Sequence, residues 1–358
     1  MTSVEEIPAI FKCYPDLGDS IDYINLDTMP SQVHRLDNLG HGDLWIKRND
    51  KLSTVYGGNK VRRLEFVLAE VLEKRKSRVV TLGAIGTNHG LATAIYCKRL
   101  GIKCKLILYD QEVTPYVREN LRLYHKYGAD MVYAGNMINA GRRYYLDQRL
   151  RHPMSYFLYA GGSSPIATVG SVNAAFEFKE QLDRGDMPAP KYVICPTASN
   201  GTMGGLMLGF ALAGIDTTVI GVRVGVDRWG PMEFNTPRTV KSMIRRVYKV
   251  LKRSSKMIPD VTVPEPVMLN DYVGKGYGYV TQESLRAVEI FKEKENIKLE
   301  PVYTGKTCAA LLDFIKDKDR SNDTVLYWHT YNSVDLSEEA RSVDYRELPP
   351  EFHTFFEE

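Results

Sequence analysis

The chain of 358 residues contains no apolar run that approaches the length of about 20 residues needed to span a bilayer. Its five cysteines are odd in number, with no Cys-x-x-Cys pair and no histidines at zinc-ligand spacing. The formal net charge of +3 is too small to indicate nucleic-acid binding. These absences argue against a membrane protein, a disulfide framework and a structural metal site. We expect no metal, no membrane partner and no nucleic-acid partner.

The N-terminus, Met1–Glu6, is acidic and opens no apolar stretch of signal-peptide length. The scattered cysteines are then typical of reduced cytosolic thiols. We therefore expect a cytoplasmic protein.

Apolar residues make up 44% of the chain and charged residues 25%, as in ordinary globular proteins, and the length suits two lobes of roughly 100–200 residues each. The predicted strands cover residues 43–48, 78–83, 103–109, 128–133, 191–196, 218–224 and 324–328. The predicted helices cover residues 60–74, 91–101, 114–127, 137–151, 166–184, 206–212, 281–296 and 307–318. This alternation predicts an α/β protein with parallel sheets covered on both faces and ligands at the carboxyl ends of the strands.

One stretch, Tyr56–Phe66, reads Tyr-Gly-Gly-Asn-Lys-Val-Arg-Arg-Leu-Glu-Phe. The glycine pair lets the backbone approach a ligand closely, and Lys60 follows it in the first turn of a helix with an apolar stripe. Such a lysine is either a solvated surface charge or an amine that forms a Schiff base with a carbonyl cofactor in a desolvated pocket. The choice depends on the rest of the sequence.

A second stretch, Ser199–Gly205, joins a predicted strand to a predicted helix. Its glycines expose backbone N–H groups, and the positive end of the helix favours phosphate. The lysine of a P-loop and the spacing Gly-x-Gly-x-x-Gly are both missing. The loop is therefore either a structural turn or a phosphate cup.

Other polar side chains stand at similar junctions: Thr87, Asn88 and His89 after a strand, Tyr277 and Tyr303 in glycine-bordered turns, and Thr330 after the last strand. Taken singly, His89 is more typical of a capping or buried histidine, and the tyrosines of packing residues. Taken together with Lys60 and the Ser199–Gly205 loop, they supply the imine partner, the phosphate anchor and the group facing a ring nitrogen that pyridoxal phosphate requires.

Six stretches, in order between about residues 40 and 335, resemble the aminocyclopropane-carboxylate deaminase and D-cysteine desulfhydrase family. They are Gly57–Glu65, Asn88–His89, Gly161–Pro165, Tyr272–Gly278, Pro301–Lys306 and His329–Thr330. That family is part of the tryptophan-synthase-β-like class of pyridoxal phosphate enzymes (fold type II). The resemblance implies two three-layer αβα domains with parallel-type sheets: a large cofactor-binding domain of residues 1–58 plus 163–358, and a small domain of residues 59–162. The active site is expected in the cleft between them.

By the same resemblance, Lys60 would hold the cofactor in Schiff-base linkage. The implied phosphate contacts are Ser199, Asn200, Gly201, Thr202 and Arg63. Asn88 would contact the ring hydroxyl, and Thr330 the pyridine nitrogen. Thr87 and His89 would border the substrate carboxylate, with Tyr277 and Tyr303 near the substrate side chain.

The residue after the second tyrosine helps to separate subgroups of the family. The deaminases resemble Tyr-Glu-Gly, whereas this chain has Tyr303-Thr304-Gly305, the desulfhydrase-like form. The expected activity is α,β-elimination of D-cysteine or a similar β-substituted amino acid to pyruvate, ammonia and the leaving group. Aminocyclopropane-carboxylate deamination, β-replacement, or a non-catalytic protein that binds the cofactor and an amino acid remain as alternatives.

The chain departs from the family pattern at four places. Thr87 replaces the usual serine, Gly90–Ala92 replaces an expected arginine, Arg63 replaces a common lysine, and Tyr331–Asn332 replaces a glycine pair. By the resemblance, the last change would place bulk beside the cofactor ring.

The segment 226–270 also departs from the family and carries a basic helix face. It is interpreted as a solvated helix or a subunit contact, with polyanion binding as the alternative. The resemblance implies a homodimer that acts on a small amino-acid substrate.

Overall fold

The structure is a computed structural model that describes residues 7–229 and 232–357. The acidic stretch Met1–Glu6, on which the absence of a signal peptide was predicted, lies outside the described residues, as do residues 230 and 231 of the basic segment. Contacts divide the chain into two compact units. The first unit combines residues 7–21, Asp27–Arg63 and Pro165–Ser333, and the second combines Asp22–Leu26, Leu64–Ser164 and residues 334–357.

The strands, in chain order, are β1 (Val33–Arg35), β2 (Leu44–Arg48), β3 (Arg78–Ala84), β4 (Lys103–Tyr109), β5 (Asp130–Gly135), β6 (Tyr156–Leu158), β7 (Tyr192–Thr197), β8 (Thr218–Arg223), β9 (Arg228–Trp229), β10 (Met232–Glu233), β11 (Val267–Leu269) and β12 (Val325–His329). The α-helices are α1 (Ala9–Cys13), α2 (Asn59–Glu73), α3 (Asn88–Arg99), α4 (Pro115–Lys126), α5 (Met137–Arg142), α6 (Gln148–Arg151), α7 (Pro165–Asp183), α8 (Gly201–Ala213), α9 (Pro237–Ser254), α10 (Gln282–Glu295), α11 (Thr304–Phe314) and α12 (Ser337–Arg341). In the described part of the chain, no helix is both long and apolar enough to cross a membrane.

The first unit is built on a six-stranded sheet with the order β1-β2-β12-β7-β8-β11. Only the edge pair β1–β2 is antiparallel. Adjacent residues of a strand point to opposite faces, and both faces are covered. The ring of Tyr327 lies 6.0 Å from that of Phe291 on α10, whereas the ring of Trp328 lies 5.8 Å from that of Phe178 on α7. This unit is therefore a three-layer αβα domain.

The second unit contains a four-stranded parallel sheet with the order β5-β4-β3-β6. On one face, Val80 and Ile107 form an apolar cluster with Tyr144, which follows α5. On the other face, Leu106 lies beside Gly90 of α3. Helical segments thus cover both faces, and the predicted alternation of strand and helix is confirmed.

The observed elements differ from the predicted ones in places. The helix predicted over 137–151 is broken, because a π-helical turn, Arg143–Asp147, separates α5 from α6. The three-residue strands β1, β6 and β11 were not predicted, since they are too short to show a periodic pattern. Helix α8 begins at Gly201 rather than at residue 206.

Residues 334–357 group with the second unit by their contacts, whereas the family resemblance implies a large domain that includes residues 163–358. Arg118 Nε donates to the carbonyl oxygen of Phe355 at 2.6 Å, and the ring of Tyr133 lies 5.8 Å from that of Phe352. Lys126 Nζ donates to Ser342 Oγ at 2.7 Å. These contacts are made by scattered aromatic and polar residues without helical or strand periodicity, so no local pattern of the sequence indicates them.

Candidate active site

The turn before Lys60 is held tightly within the first unit. Gly58 has a φ of +86°, and a Cβ atom at Gly57 would lie 2.1 Å from the carbonyl oxygen of Asp50. The amide of Asn59 donates to the carbonyl oxygen of Thr330 at 3.1 Å. Only glycines fit this turn, so the glycine pair serves a close approach of backbone to backbone.

The Lys60 side chain is half-buried. Burial and the nearby Arg63 guanidinium hold the pKa of its amine well below the ordinary value of 10.5. Both causes disfavour the charged form, so the amine is more available as a nucleophile and a base than that of a surface lysine. The interpretation as a solvated surface charge does not fit this environment.

A polar cup lies at the start of α8. Asn59 Nδ2 and Arg63 Nη2 each donate to Thr202 Oγ1 at 2.8 Å, and Arg63 Nη1 donates to Ser199 Oγ at 3.3 Å. Burial lowers the pKa of the Arg63 guanidinium to about 10, so it is cationic at neutral pH. Hydroxyls, a buried cation and a helix N-terminus converge here, which is a suitable arrangement for an anion.

Asn200 shapes the cup through its backbone. It adopts the left-handed conformation, with φ +63°, and provides no side-chain cap to α8. Its Nδ2 instead donates to the carbonyl oxygen of Phe234 at 2.6 Å and to Thr239 Oγ1 at 3.0 Å. The first amides of α8, including that of Gly201, are therefore left to bind a ligand.

The two predicted tyrosines meet. Tyr303 Oη donates to Tyr277 Oη at 2.5 Å, and the rings lie 5.8 Å apart at 83°. Burial raises the pKa of the Tyr277 phenol, which stays protonated at neutral pH. The phenol of Tyr303 also interacts electrostatically with Arg63 of the cup.

Two buried charged residues support this pair. The Glu300 carboxylate accepts from the amides of Val302, Tyr303 and Thr304 at 2.9, 2.7 and 2.7 Å. Lys306 Nζ donates to the carbonyl oxygens of Val273 and Gly276 at 2.6 and 3.2 Å. Glu300 thus holds the turn that carries Tyr303, and Lys306 holds the loop that carries Tyr277.

Thr330 is buried directly after β12, and the Ser199–Gly205 loop follows the neighbouring strand β7. Carboxyl ends of parallel strands share one edge of a sheet, which explains why residues so distant in sequence meet. The structure therefore brings Lys60, Arg63, the cup and Thr330 together in the first unit.

The stretch Thr87–His89 belongs to the second unit and follows β3. Thr87 caps α3, where its Oγ1 accepts from the amide of Gly90 at 3.3 Å, and Asn88 Oδ1 accepts from the hydroxyl of Tyr116. His89 Nε2 lies 3.0 Å from Thr81 Oγ1, and its ring is buried against Gly162. These contacts are structural, and the roles of these residues toward a ligand stay predictions.

Some residues of the site were not predicted as such: Asn59, Tyr116, Glu300, Lys306 and Asn332. Asn59, Glu300 and Lys306 lie within or beside the stretches already noted. Their nearness in sequence to Lys60 or Tyr303 could have identified them as candidate site residues. Tyr116 contacts Asn88 from 28 positions away, and no local pattern marks it. Asn332 stood out only as a departure from the family pattern, and its contact with Gly57 spans 275 positions.

Helix α9 carries the basic face of the segment 226–270. Its apolar side, which includes Val240 and Val247, is buried. Among its basic residues, Lys241 pairs with Glu265 at 2.9 Å and Lys252 with Asp260 at 2.8 Å. This is the pattern of a solvated helix face.

A family model described as "Pyridoxal-phosphate dependent enzyme" matches residues 24–330. The chain is similar to "Nocardicin C-9' epimerase" of Nocardia uniformis subsp. tsuyamanensis, at 30% identity over 93% of this chain and 98% of the relative. It is also similar to "D-cysteine desulfhydrase" of Serratia proteamaculans, at 27% identity over 87% and 92%. A crystal structure of an "ACC deaminase homologue" superposes with a TM-score of 0.76 at 26% identity, over 94% of this chain and 99% of that one.

These matches confirm the predicted fold class, including fold type II, and the predicted cofactor. The residues present also fit pyridoxal phosphate. A lysine amine with a depressed pKa stands close to a buried guanidinium and a helix N-terminus, which suit an aldehyde and a phosphate. Thr330 lies beside the turn of Lys60, where a hydroxyl can face a ring nitrogen.

Proposed function

We propose that this chain, which belongs to the family of pyridoxal-phosphate-dependent enzymes, is a lyase for a small β-substituted amino acid such as D-cysteine. The reaction would remove the α-proton and the β-substituent and, after hydrolysis, release pyruvate, ammonia and, from cysteine, sulfide. The observation that carries the proposal is the depressed pKa of the Lys60 amine beside an anion cup. The desulfhydrase-like Tyr303-Thr304-Gly305 supports elimination over ring-opening deamination.

When bound, pyridoxal phosphate supplies the aldehyde that bonds to amines and the electron sink for the electrons of the substrate α-carbon. In the proposal, Arg63, Ser199, Asn200, Gly201 and Thr202 hold its phosphate. Thr330 faces the ring nitrogen, and Asn88 contacts the ring hydroxyl.

Lys60 would take the α-proton, because a neutral amine is the state that its surroundings favour. Tyr277 and Tyr303 would face the substrate side chain, where a protonated phenol can hydrogen-bond to the departing group. Thr87 and His89 would border the carboxylate. The same proposal includes an active site in the cleft between the predicted domains. It also includes assembly as a homodimer and a cytoplasmic location.

A test begins with the purified protein, which should be yellow and carry the absorbance of a Schiff base. Lys60→Ala should abolish this absorbance and lower turnover by about 10²-fold to 10⁴-fold or more. The matched control is Lys74→Ala, because Lys74 is an exposed lysine just beyond the end of the same helix. Colourless protein that cannot be reconstituted with the cofactor would overturn the proposal.

The substrate is tested by a screen of D- and L-amino acids with β-leaving groups, together with aminocyclopropane-carboxylate. Keto acid, ammonia and sulfide are scored separately, so that elimination, ring opening and β-replacement give different product sets. Bound cofactor without exchange of the α-proton from any amino acid would favour a non-catalytic binding protein.

Epimerisation is a second candidate, favoured by the similarity to nocardicin C-9' epimerase along 98% of that relative. An epimerase would exchange the α-proton with deuterium from D₂O and invert the stereocentre while the β-substituent stays in place. Chiral analysis of the same reaction mixtures separates it from a lyase.

A further inference from the structure

Three successive amides immediately before Lys60 are bound by three different acceptors. The amide of Gly57 donates to Asn332 Oδ1 at 2.7 Å, that of Gly58 to the carbonyl oxygen of Asn49 at 2.8 Å, and that of Asn59 to the carbonyl oxygen of Thr330 at 3.1 Å. Two of these acceptors are backbone groups, which any residue supplies. The acceptor for Gly57 is a side chain, and it therefore depends on the identity of residue 332.

Asn332 connects two parts of the site, the segment that carries Thr330 and the turn before Lys60. It is buried, and it stands two residues after Thr330. The next residue is anchored as well, since Ser333 Oγ donates to the carbonyl oxygen of Asp50 at 3.0 Å. The segment after β12 thus contacts the Lys60 turn at Thr330 and Asn332, within a few residues of chain.

The alternatives for the Gly57 amide are poor. The turn is buried, and a buried amide without an acceptor costs about 1–3 kcal/mol in general. A glycine at position 332, as in the family pattern, has no side chain to serve as that acceptor. The Asn332 side chain, which stands in place of a glycine of the family pattern, therefore supplies an acceptor that a glycine lacks.

We propose that Asn332 is a positioning residue that fixes the Lys60 turn against the Thr330 segment. The inference rests on the proposed function only through the role of Lys60. Its structural part, the protection of the Gly57 amide by the Asn332 side chain, stands independently of the reaction catalysed.

The structural part is tested by hydrogen–deuterium exchange of full-length protein, followed in peptides that cover residues 56–60. Asn332→Ala should accelerate exchange at Gly57 by about tenfold or more, because its acceptor is lost. Asn332→Asp keeps an oxygen at the same place and should retain most of the protection. Ser333→Ala is the matched control, since it removes a hydrogen bond from the same segment without touching Gly57. Equal exchange in wild type and Asn332→Ala would overturn the inference.

The positioning part is tested through the Lys60 amine and not through turnover alone. The pH midpoint for acylation of Lys60 should change in cofactor-free Asn332→Ala and keep the wild-type value in the control Ser333→Ala. Faster exchange in Asn332→Ala, with an unchanged midpoint and an unchanged kcat, would overturn the positioning role of Asn332. It would still support the hydrogen bond between Asn332 and the Gly57 amide. If Asn332→Ala does not fold, Asn332→Ser provides the same comparison with a smaller cavity. If the wild-type protein shows no elimination activity, that result would count against the proposed function and not against this inference.

Discussion

Among single residues, nearby charges distinguish the candidate nucleophile Lys60 from two lysines that are fully buried, Lys47 and Lys306. Lys47 donates to the Glu177 carboxylate at 2.6 Å, and burial lowers its pKa to about 8 while Glu177 opposes the shift. Burial also lowers the pKa of Lys306, and the Glu300 charge opposes that shift. Each of these lysines has an anion nearby that favours its ammonium form.

Lys60 differs, because burial and Arg63 act on its pKa in the same direction. Arg63 therefore has two effects: it binds the hydroxyls of the cup, and it favours a neutral amine at Lys60. The combination is chemically coherent, since an anion in the cup and an aldehyde at the lysine would belong to one molecule.

We predict that Arg63→Gln raises the pKa of the Lys60 amine, though not to 10.5, because burial is the larger cause of its depression. The same change should weaken retention of pyridoxal phosphate about tenfold or more, since a charge-assisted contact is lost. Arg63→Lys keeps the charge and is the control. The pH dependence of Lys60 acylation in cofactor-free protein gives the first quantity, and equilibrium dialysis gives the second. An unchanged Lys60 pKa in Arg63→Gln would contradict the prediction.

At the scale of elements, the starts of two helices carry most of the site. Helix α8 begins after a left-handed Asn200 and presents its amides to the cup. Helix α11 begins at Thr304, and the amides at its start are taken up by the Glu300 carboxylate. The start of α8 is therefore available to a ligand. At the start of α11, by contrast, the Glu300 carboxylate accepts the amide hydrogen bonds and thereby orients Tyr303.

Burial raises the pKa of Glu300, because the cost of desolvation exceeds the gain from its hydrogen bonds. We predict that Glu300→Ala lowers kcat and the free energy of unfolding, the latter by about 2–4 kcal/mol, since several amides lose their acceptor. Glu300→Gln keeps one acceptor oxygen and should be milder. The control is Glu293→Ala on the exposed side of α10, expected within about 0.5 kcal/mol of wild type. Urea unfolding and steady-state kinetics measure both effects, and a Glu300→Ala variant as stable and active as the control would refute the role of this carboxylate.

At the scale of the whole molecule, His329 links the central strand β12 to stability at low pH. It is fully buried; its Nδ1 lies 3.0 Å from Tyr327 Oη and its Nε2 3.8 Å from Asp50 Oδ2. Burial lowers its pKa from 6.5 to about 4, although Asp50 opposes the shift and Arg48 adds to it. The folded state therefore keeps His329 neutral over a pH range in which the unfolded chain binds a proton.

This difference predicts that stability falls as the pH is lowered from about 6.5 to about 4, by up to about 3 kcal/mol. In that window the unfolded state binds more protons than the folded state, so the free energy of unfolding rises with pH. His329→Gln should flatten the dependence in the same window. Urea midpoints at intervals from pH 7 to pH 4 measure it. Equal slopes in wild type and variant would show that His329 does not cause the pH dependence.

Local patterns of residues predict the α/β class, most helix and strand positions, and the likeness to a family of pyridoxal phosphate enzymes. Helical and strand periods are local properties, and the Gly57–Lys60 and Ser199–Gly205 stretches carry their chemistry in consecutive residues. For these features, the information lies within a few residues of chain.

Which distant side chains meet is visible only once the chain is folded. Asn59 reaches Thr202 across 143 positions, and Asn332 reaches Gly57 across 275. The tail of residues 334–357 joins the second unit through isolated aromatic and polar contacts. Hydrogen bonds of this kind depend on the registers of a sheet and the approach of two loops, and no local pattern of the sequence records either.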